Sequence, residues 1–515
     1  MLEINNLKII KKQNNRILID NFNFVLHKND KVAIIGEEGN GKSSLLKFIY
    51  DKRLIEDYCL VSGNVVKNNL KLGYLEQIID DNWQKQEVIN YFLKDNYDSE
   101  IDFNKYNELE NVYNMCSKLN LGKDIIEENR LIESLSGGER VKLQLVKIML
   151  SDPDVLLLDE PSNDLDIETL LWLENFIKTS NKPIIYISHD ETLLENTCNA
   201  VIHLEQIMKK TQAKHTICRL SYREYINQRL KLIDRQNSIA DKEKNQLDEK
   251  MDKWRKIYQR VDHEQATISR NDAHGGYLLK KKMHAVKSQE RMLKKEKENL
   301  TKKIDTEDSI SILFNYDIEI PKSKVVYNKT ISPLCVGDKI LSKRVDLVVK
   351  GNSHVVITGN NGSGKTTFLK KIYEDIKQGP YKVGYMPQNY NDKLELDSSV
   401  IEFVCKDRDK DNLTLARTFL GSMKFSEEEM EGKISELSGG QKAKLLLVKL
   451  ILDKSQILIL DEPTRNLSPL SNPVIRQILS EYCGCIISVS HDRKFIEKVG
   501  NVVYKLDEAG LKLIN

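Results

Sequence analysis

No stretch of this 515-residue chain approaches the roughly 18 uninterrupted apolar residues that a membrane helix requires. Its start, MLEINNLKIIKKQNN, lacks the apolar segment of a secretory leader, so a soluble, cytoplasmic chain is expected. Cysteine is scarce as well. The eight cysteines are scattered apart from Cys483 and Cys485, and they match none of the paired spacings of a zinc site or a secreted disulfide framework. They are expected to be reduced thiols in the core. Net charge is nearly missing too, at +2, but it is unevenly placed. Between Ser221 and Asp305 there are 22 Lys and Arg against 14 Asp and Glu, so the middle of the chain is electropositive and the remainder is acidic.

What is present is a repeat. KVAIIGEEGNGKSSLLKFIY recurs as HVVITGNNGSGKTTFLKKIY, LSGGERVKLQLVKIML as LSGGQKAKLLLVKLIL, DVLLLDEPSNDLD as QILILDEPTRNLS, and PIIYISHD as CIISVSHD. Leu135 to His189 and Leu437 to His491 are equally spaced. The chain therefore reads as a tandem duplication, with copies at 1–217 and 309–515 and a linker at 218–308. In each copy a β-branched run, Val32 to Ile35 or Val355 to Thr358, enters a glycine loop that an amphipathic segment follows. Later buried runs, Val155 to Leu158 and Ile184 to Ile187, alternate with helical stretches. This predicts an α/β fold: two P-loop NTPase domains with largely parallel sheets covered by helices.

Gly36, Gly39, Asn40, Gly41, Lys42, Ser43 and Ser44 form one phosphate loop. Gly359, Gly362, Ser363, Gly364, Lys365, Thr366 and Thr367 form the other. Glycines let backbone N–H groups close around phosphate oxygens, the lysine reaches the terminal phosphates, and the hydroxyl reaches Mg²⁺. A single match could be an ordinary turn; two, each leaving a predicted strand, could not. Asp159 and Glu160 end an apolar strand, as do Asp461 and Glu462. Such a pair can hold the Mg²⁺ shell and orient or deprotonate the attacking water.

LSGGE and LSGGQ resemble the signature of ABC-type ATPases. The resemblance implies that the halves dock head to tail, each ATP lying between one phosphate loop and the opposite signature. Gln77 and Gln388 match the family's Q-loops, and His189 and His491 match its switch histidines. One composite site would use Lys42, Ser43, Gln77, Asp159, Glu160 and His189 with Ser438, Gly439 and Gly440. The other would use Lys365, Thr366, Gln388, Asp461, Glu462 and His491 with Ser136, Gly137 and Gly138. Glu160, Glu462, His189 and His491 would be catalytic. Ser43, Gln77, Asp159, Thr366, Gln388 and Asp461 would hold the metal. Both glutamates are present, so both sites are expected to hydrolyse ATP. Ser468 stands where the first copy has Asp166, so the turnover of the two is expected to be unequal. No aromatic residue near Lys11 or Pro333 matches the family's adenine stacker.

Between the copies an apolar period of 3.5 runs through Ile226, Leu230, Ile233, Ala240, Leu247, Met251, Trp254, Tyr258 and Val261. It restarts at Leu279, Met283, Val286, Leu293, Leu300 and Ile304. This predicts an antiparallel helical hairpin whose first arm is about 50 Å long. Asn271, Asp272, Gly275 and Gly276 are expected to turn the chain, within a tip at 262–277. A plain spacer has no need of His263, Arg270, His274 and Tyr277, or of Lys280, Lys281 and Lys282 directly after them. Basic side chains beside rings suit phosphate contacts and base stacking on RNA.

Two ABC modules joined by a charged hairpin resemble the ABC-F proteins. LDEPTRNLSPLSNPVIR in the second copy looks most like their antibiotic-resistance branch, the Vga, Lsa and Vml type. The resemblance implies a monomer with paired halves that binds the 70S ribosome at the exit site, near rRNA and P-site tRNA, with no membrane partner. The hairpin would protect the peptidyl-transferase centre from pleuromutilin, lincosamide and streptogramin A drugs. Two alternatives stay open: an ABC-F translation factor that relieves stalled ribosomes, and the tandem ATPase subunit of an importer. The importer reading leaves the basic hairpin unexplained.

Overall fold

The computed structural model describes residues 2–207, 212–267, 273–301, 303, 320–337, 339–406 and 409–514. Two compact units result: Met1–Tyr222 together with Glu307–Asn515, and Arg223–Thr306. The repeat in the sequence is carried into the first unit, whose two halves share the order of their central sheets.

In the first half, β1 (Leu2–Lys11), β2 (Arg16–Leu26) and β4 (Cys59–Val66) make an antiparallel sheet in the order β2-β1-β4. The central sheet has the order β5-β6-β7-β3-β8-β9, from β3 (Lys31–Ile35), β5 (Leu72–Leu75), β6 (Val155–Asp159), β7 (Ile184–Ile187), β8 (Ala200–Ile207) and β9 (Gln212–Cys218). All its pairs are parallel except β8 with β9. Every residue of β3, β6 and β7 is buried, which explains why these strands read as unbroken apolar runs and not as alternating ones.

The second half repeats the central sheet but divides its antiparallel strands between two two-stranded sheets. β10 (Val325–Ile331) pairs with β13 (Val345–Lys350), and β11 (Leu334–Val336) with β12 (Lys339–Ser342). β14 (His354–Thr358), β15 (Val383–Met386), β16 (Ile457–Asp461), β17 (Cys485–Val489), β18 (Val502–Asp507) and β19 (Gly510–Leu513) take the order β15-β16-β17-β14-β18-β19. In both halves the phosphate loop leaves the fourth strand of the sheet, and the acidic pair ends the second.

An ionic cluster joins the halves. Arg476, on the helix Asn472–Ser480, is 1% exposed and reaches Glu191 of the first half at 2.7 Å and Asp492 at 3.2 Å. Arg493 reaches Glu174 at 3.0 Å, and Lys494 reaches Glu191 at 3.2 Å and Glu195 at 2.5 Å. Tyr222 adds a hydrogen bond to the Pro469 carbonyl at 3.3 Å. A guanidinium this deep tolerates desolvation only because carboxylates from both halves surround it.

Among the described residues the second unit holds two helices, Tyr222–Thr267 being the first, though its opening residue belongs to the other unit, and Ala273–Glu298 the second. At 1.5 Å per residue the first is about 69 Å long, more than the seam alone predicts. Ile233, Ala240, Leu247, Val261, Leu279, Met283, Val286 and Leu293 are buried, as their period requires, but Leu230 is 45% exposed and lies off the seam. Trp254 donates its indole N–H to the Val286 carbonyl at 2.9 Å and packs with Tyr258 beside Val261 and Met283. Lys303 and Asp241 pair across the arms at 2.7 Å.

The tip differs from expectation. Asp262 to Thr267 and Ala273 to Tyr277 are helical, so Gly275 and Gly276 belong to the second helix and not to a turn. Two helical glycines cost about 1 kcal/mol each against alanine, a loss that the seam restarting at Leu279 offsets. Arg270, Asn271, Asp272 and Ile304 lie outside the described residues, as does the boundary at 309. The cysteine expectation also needs correcting: Cys59, Cys116, Cys198, Cys405 and Cys485 are buried and Cys218 half-buried, but Cys335 and Cys483 are exposed thiols.

Candidate nucleotide sites

Each phosphate loop follows a fully buried strand and opens a helix, Lys42–Tyr50 or Lys365–Lys377. Gly36 and Gly359 have φ of 147° and 149°. A Cβ would stand 2.3 Å from the Leu204 carbonyl at the first and 2.4 Å from the Leu506 carbonyl at the second, so only glycine fits. The lysines curl back over their loops. Lys42 Nζ donates to the carbonyls of Gly36 at 2.9 Å and Glu37 at 3.1 Å, and Lys365 Nζ to those of Gly359 and Asn360, both at 2.9 Å. Asn40 is tied to the Leu204 carbonyl at 3.1 Å, whereas the Ser363 hydroxyl is buried without a partner among the described residues.

In the first half Ser43 donates to Asp159 at 2.9 Å and Tyr74 to its other oxygen at 3.2 Å. Burial, reinforced by Glu160, pushes the Asp159 carboxyl up to about 6. Glu160 receives Gln77 at 2.8 Å, Asn163 at 2.5 Å and the His189 Nε2 edge at 3.2 Å. Burial opposes its charge, but these donors together with Lys42 outweigh that and hold it down at about 2. The Nδ1 edge of His189 faces the carbonyl of Leu467, in the other half, at 2.8 Å. Both edges of the ring thus face oxygen atoms, one from each half.

The second half has the same residue types in another arrangement. His491 Nε2 stands 3.8 Å from Glu462, and its Nδ1 has no partner among the described residues. Burial, then Lys365, lowers its pKa to about 4. Glu462 keeps a buried oxygen without a hydrogen bond, and burial together with Asp461 raises it to about 8. The difference begins at one position. Asn163 donates to Glu160, but its counterpart Arg465 turns away from Glu462 to pair with Asp164 of the first half at 2.5 Å. Glu160 and Glu462 share φ of 50° and 51°, a strained conformation kept in both copies.

Both Asp461 oxygens are buried without an accepted hydrogen bond; burial raises this carboxyl, and the Thr366 hydroxyl lowers it without completing a bond of good geometry. Thr366, Gln388 and Asp461 line one cleft. An all-oxygen donor set with unspent carboxylate oxygens fits a hard divalent cation that completes its shell with phosphate and water. Among the described residues there is no group of three or more His, Cys, Asp or Glu that could hold a metal ion.

The signatures cap helices Gly137–Leu150 and Gly439–Leu452. Ser136 makes a capping box with Glu139, and Ser438 makes one with Gln441. Ser136 and Gly137 face the Gly362 to Thr367 loop, Gln388 and His491 across an open cleft of about 1610 Å³. At the other site the halves are in contact: the Gly440 N–H donates to Glu38 at 2.8 Å. Gly138 and Gly439 sit beside these N-termini, and Ser44 follows Ser43 on the loop helix.

Several residues at the sites escape motif reading: Glu38, Arg465 and Asp164 by their cross-contacts, and Val336, Lys339 and Ile340, which line the cleft from the β11–β12 hairpin. Val336 and Ile340 are 52% and 59% exposed, an aliphatic platform where an aromatic ring is missing. The sequence signal for the first three was the mismatch between the copies at those positions.

The ABC transporter family pattern matches residues 19–163 and 342–465, spanning both loops and both acidic pairs. The ATP-binding protein Uup of Buchnera aphidicola is 30% identical over 96% of this chain and 79% of its own length. ABC transporter F family member 5 of Arabidopsis thaliana is 28% identical over 94% of this chain and 72% of its own. Among solved structures, the complex of archaeal ribosomal stalk protein aP1 with the ribosome recycling factor aABCE1 matches with a TM-score of 0.60 at 16% identity, covering 99% of this chain and 90% of that one, a likeness of fold. No helix among the described residues is long and apolar enough to cross a membrane. The chain belongs to the ABC transporter family of ATP-binding proteins and is an ATPase of the ABC-F type.

Proposed function

We propose that this ATPase works in the cytoplasm as a monomer with paired halves, binds the 70S ribosome at the exit-site region beside rRNA and P-site tRNA, and inserts its hairpin toward the peptidyl-transferase centre. There it protects the ribosome from pleuromutilin, lincosamide and streptogramin A drugs. The observation that carries the reading is the hairpin. Two nucleotide halves would suffice for an ATPase, yet this chain adds an arm of 46 helical residues whose return helix opens with exposed His274, Tyr277, Lys280, Lys281 and Lys282, with His263 exposed near the end of the outward helix. Such side chains suit RNA phosphates and bases. The resistance branch is supported by LDEPTRNLSPLSNPVIR and by the long interdomain segment. The same ATPase halves and hairpin fit a second reading, a translation factor that relieves stalled ribosomes without drug protection.

In this reading ATP lies between each phosphate loop and the opposite signature. Lys42 and Lys365 leave their loop carbonyls for the terminal phosphates, and Ser136 and Ser438 bind those phosphates from across. Ser43, Gln77 and Asp159, or Thr366, Gln388 and Asp461, would hold magnesium, which would supply charge neutralisation. Glu160 and Glu462 accept the proton of the attacking water, and His189 and His491 orient them.

Expression in a drug-susceptible strain tests the reading. Resistance that is lost on Lys280, Lys281 and Lys282→Ala supports it. Unchanged susceptibility with a ribosome-bound protein favours the translation factor, and resistance that survives removal of 262–277 contradicts the role given to the hairpin.

A further inference from the structure

The first phosphate loop reads GEEGNGKS and the second GNNGSGKT, so two carboxylates stand where the other copy has amides. Lys42 accordingly feels four carboxylates, Glu160, Glu38, Asp159 and Glu37, whereas Lys365 feels three, Glu462, Asp166 and Asp461. Glu37 has cations beside it, with Lys424 at 3.9 Å and Arg16 near. Glu38 goes elsewhere. Its Oε2 accepts the Gly440 N–H at 2.8 Å, and a Cβ on Gly439 would stand 3.4 Å from its Oε1. The carboxylate therefore sits on the first turn of the helix Gly439–Leu452, whose early N–H groups have no partner within the helix.

The second site shows what the amide does instead. Asn361 donates its side-chain amide to the Asp164 carbonyl and points its N–H at Asp166 from 3.5 Å. It places no anion on the opposite signature, and Gly137 faces the open cleft.

We propose that Glu38 sets the nucleotide affinity of the first composite site. Its carboxylate takes the place on the second half's signature helix that the terminal phosphate of ATP would take, so ATP engages this site only by displacing it. The site with Asn361 carries no such competitor and loads first. This rests on the reading that phosphate loops and opposed signatures bind ATP. Displacement penalises ATP more than ADP, because ADP lacks the phosphate that reaches the signature.

The test uses the full chain with Lys365→Ala to silence the second loop, titrated with magnesium and either a non-hydrolysable ATP analogue or ADP. Glu38→Asn and Glu38→Gln should each raise the preference for the ATP analogue over ADP by about tenfold, as expected when an apposed like charge is removed, and Glu37→Gln by less than about threefold. ADP binding reports that each variant is folded. An unchanged preference, or weaker binding of the analogue in both Glu38 variants, overturns the proposal. Lys42→Ala in the same background checks the underlying reading separately: if it still binds both nucleotides, the assignment of the site itself is wrong.

Discussion

His189 reaches the Leu467 carbonyl of the opposite half at 2.8 Å, while the equivalent nitrogen of His491 reaches nothing among the described residues. One site is closed around its glutamate and the other is open. The duplicated sequence has folded into unlike halves.

Unequal chemistry follows. Glu160 is held ionised by three side-chain donors, whereas Glu462 is raised to about 8 and must lose a proton before it can act as a base. With Glu160→Gln, only the second site turns over, and its kcat/KM should climb from pH 6 toward pH 8. With Glu462→Gln, kcat/KM should level off by about pH 7, since Glu160 is ionised throughout and only the Asp159 carboxyl, raised to about 6, still loses its proton in that interval. Identical profiles for the two variants would remove the asymmetry.

The ionic cluster predicts a stability effect. Arg476→Met leaves Glu191 buried with one fewer cation and should cost about 3 kcal/mol in denaturant unfolding. Adding Glu191→Leu should recover most of it, because the desolvated charge is then gone as well. A neutral single substitution would mean that the cluster holds nothing together.

Hairpin and ATPase are separate compact units, so damage to one should spare the other's fold. Trp254→Ala removes a partly buried ring and its bond to Val286, a loss of about 2 kcal/mol. Amide exchange should quicken around Val261, Met283 and Val286 while ribosome-free ATP hydrolysis is unchanged. Equal loosening of both units would contradict this.

Chelation gives a fourth expectation. EDTA should abolish hydrolysis, and Asp461→Asn should raise the magnesium concentration needed for second-site turnover by about tenfold. Magnesium dependence unaltered by Asp461→Asn would place the metal elsewhere.

Much of this was legible because phosphate loops, acidic strand ends and signatures are short motifs with local geometry, repeated twice. The buried runs at Val155 to Leu158 and Ile184 to Ile187 likewise announced central parallel strands. Contacts between distant segments were not legible. Glu38 meets Gly440, Arg476 meets Glu191, and His189 meets Leu467 only through the docking of the halves. Gly275 and Gly276 misled in the opposite way: glycine permits a turn without requiring one, and a Cβ at Gly276 would meet nothing within 4 Å. The seam residues that follow decided in favour of helix.

The most direct measurement is sedimentation of the full chain carrying Glu160→Gln and Glu462→Gln through sucrose with 70S ribosomes, membranes and ATP. Slowed hydrolysis should hold the paired halves closed, and the protein should travel with ribosomes in ATP but not in ADP. Its retention should fall when Lys280, Lys281 and Lys282 become alanine. Travel with membranes, or ribosome binding indifferent to both nucleotide and lysines, would contradict the account.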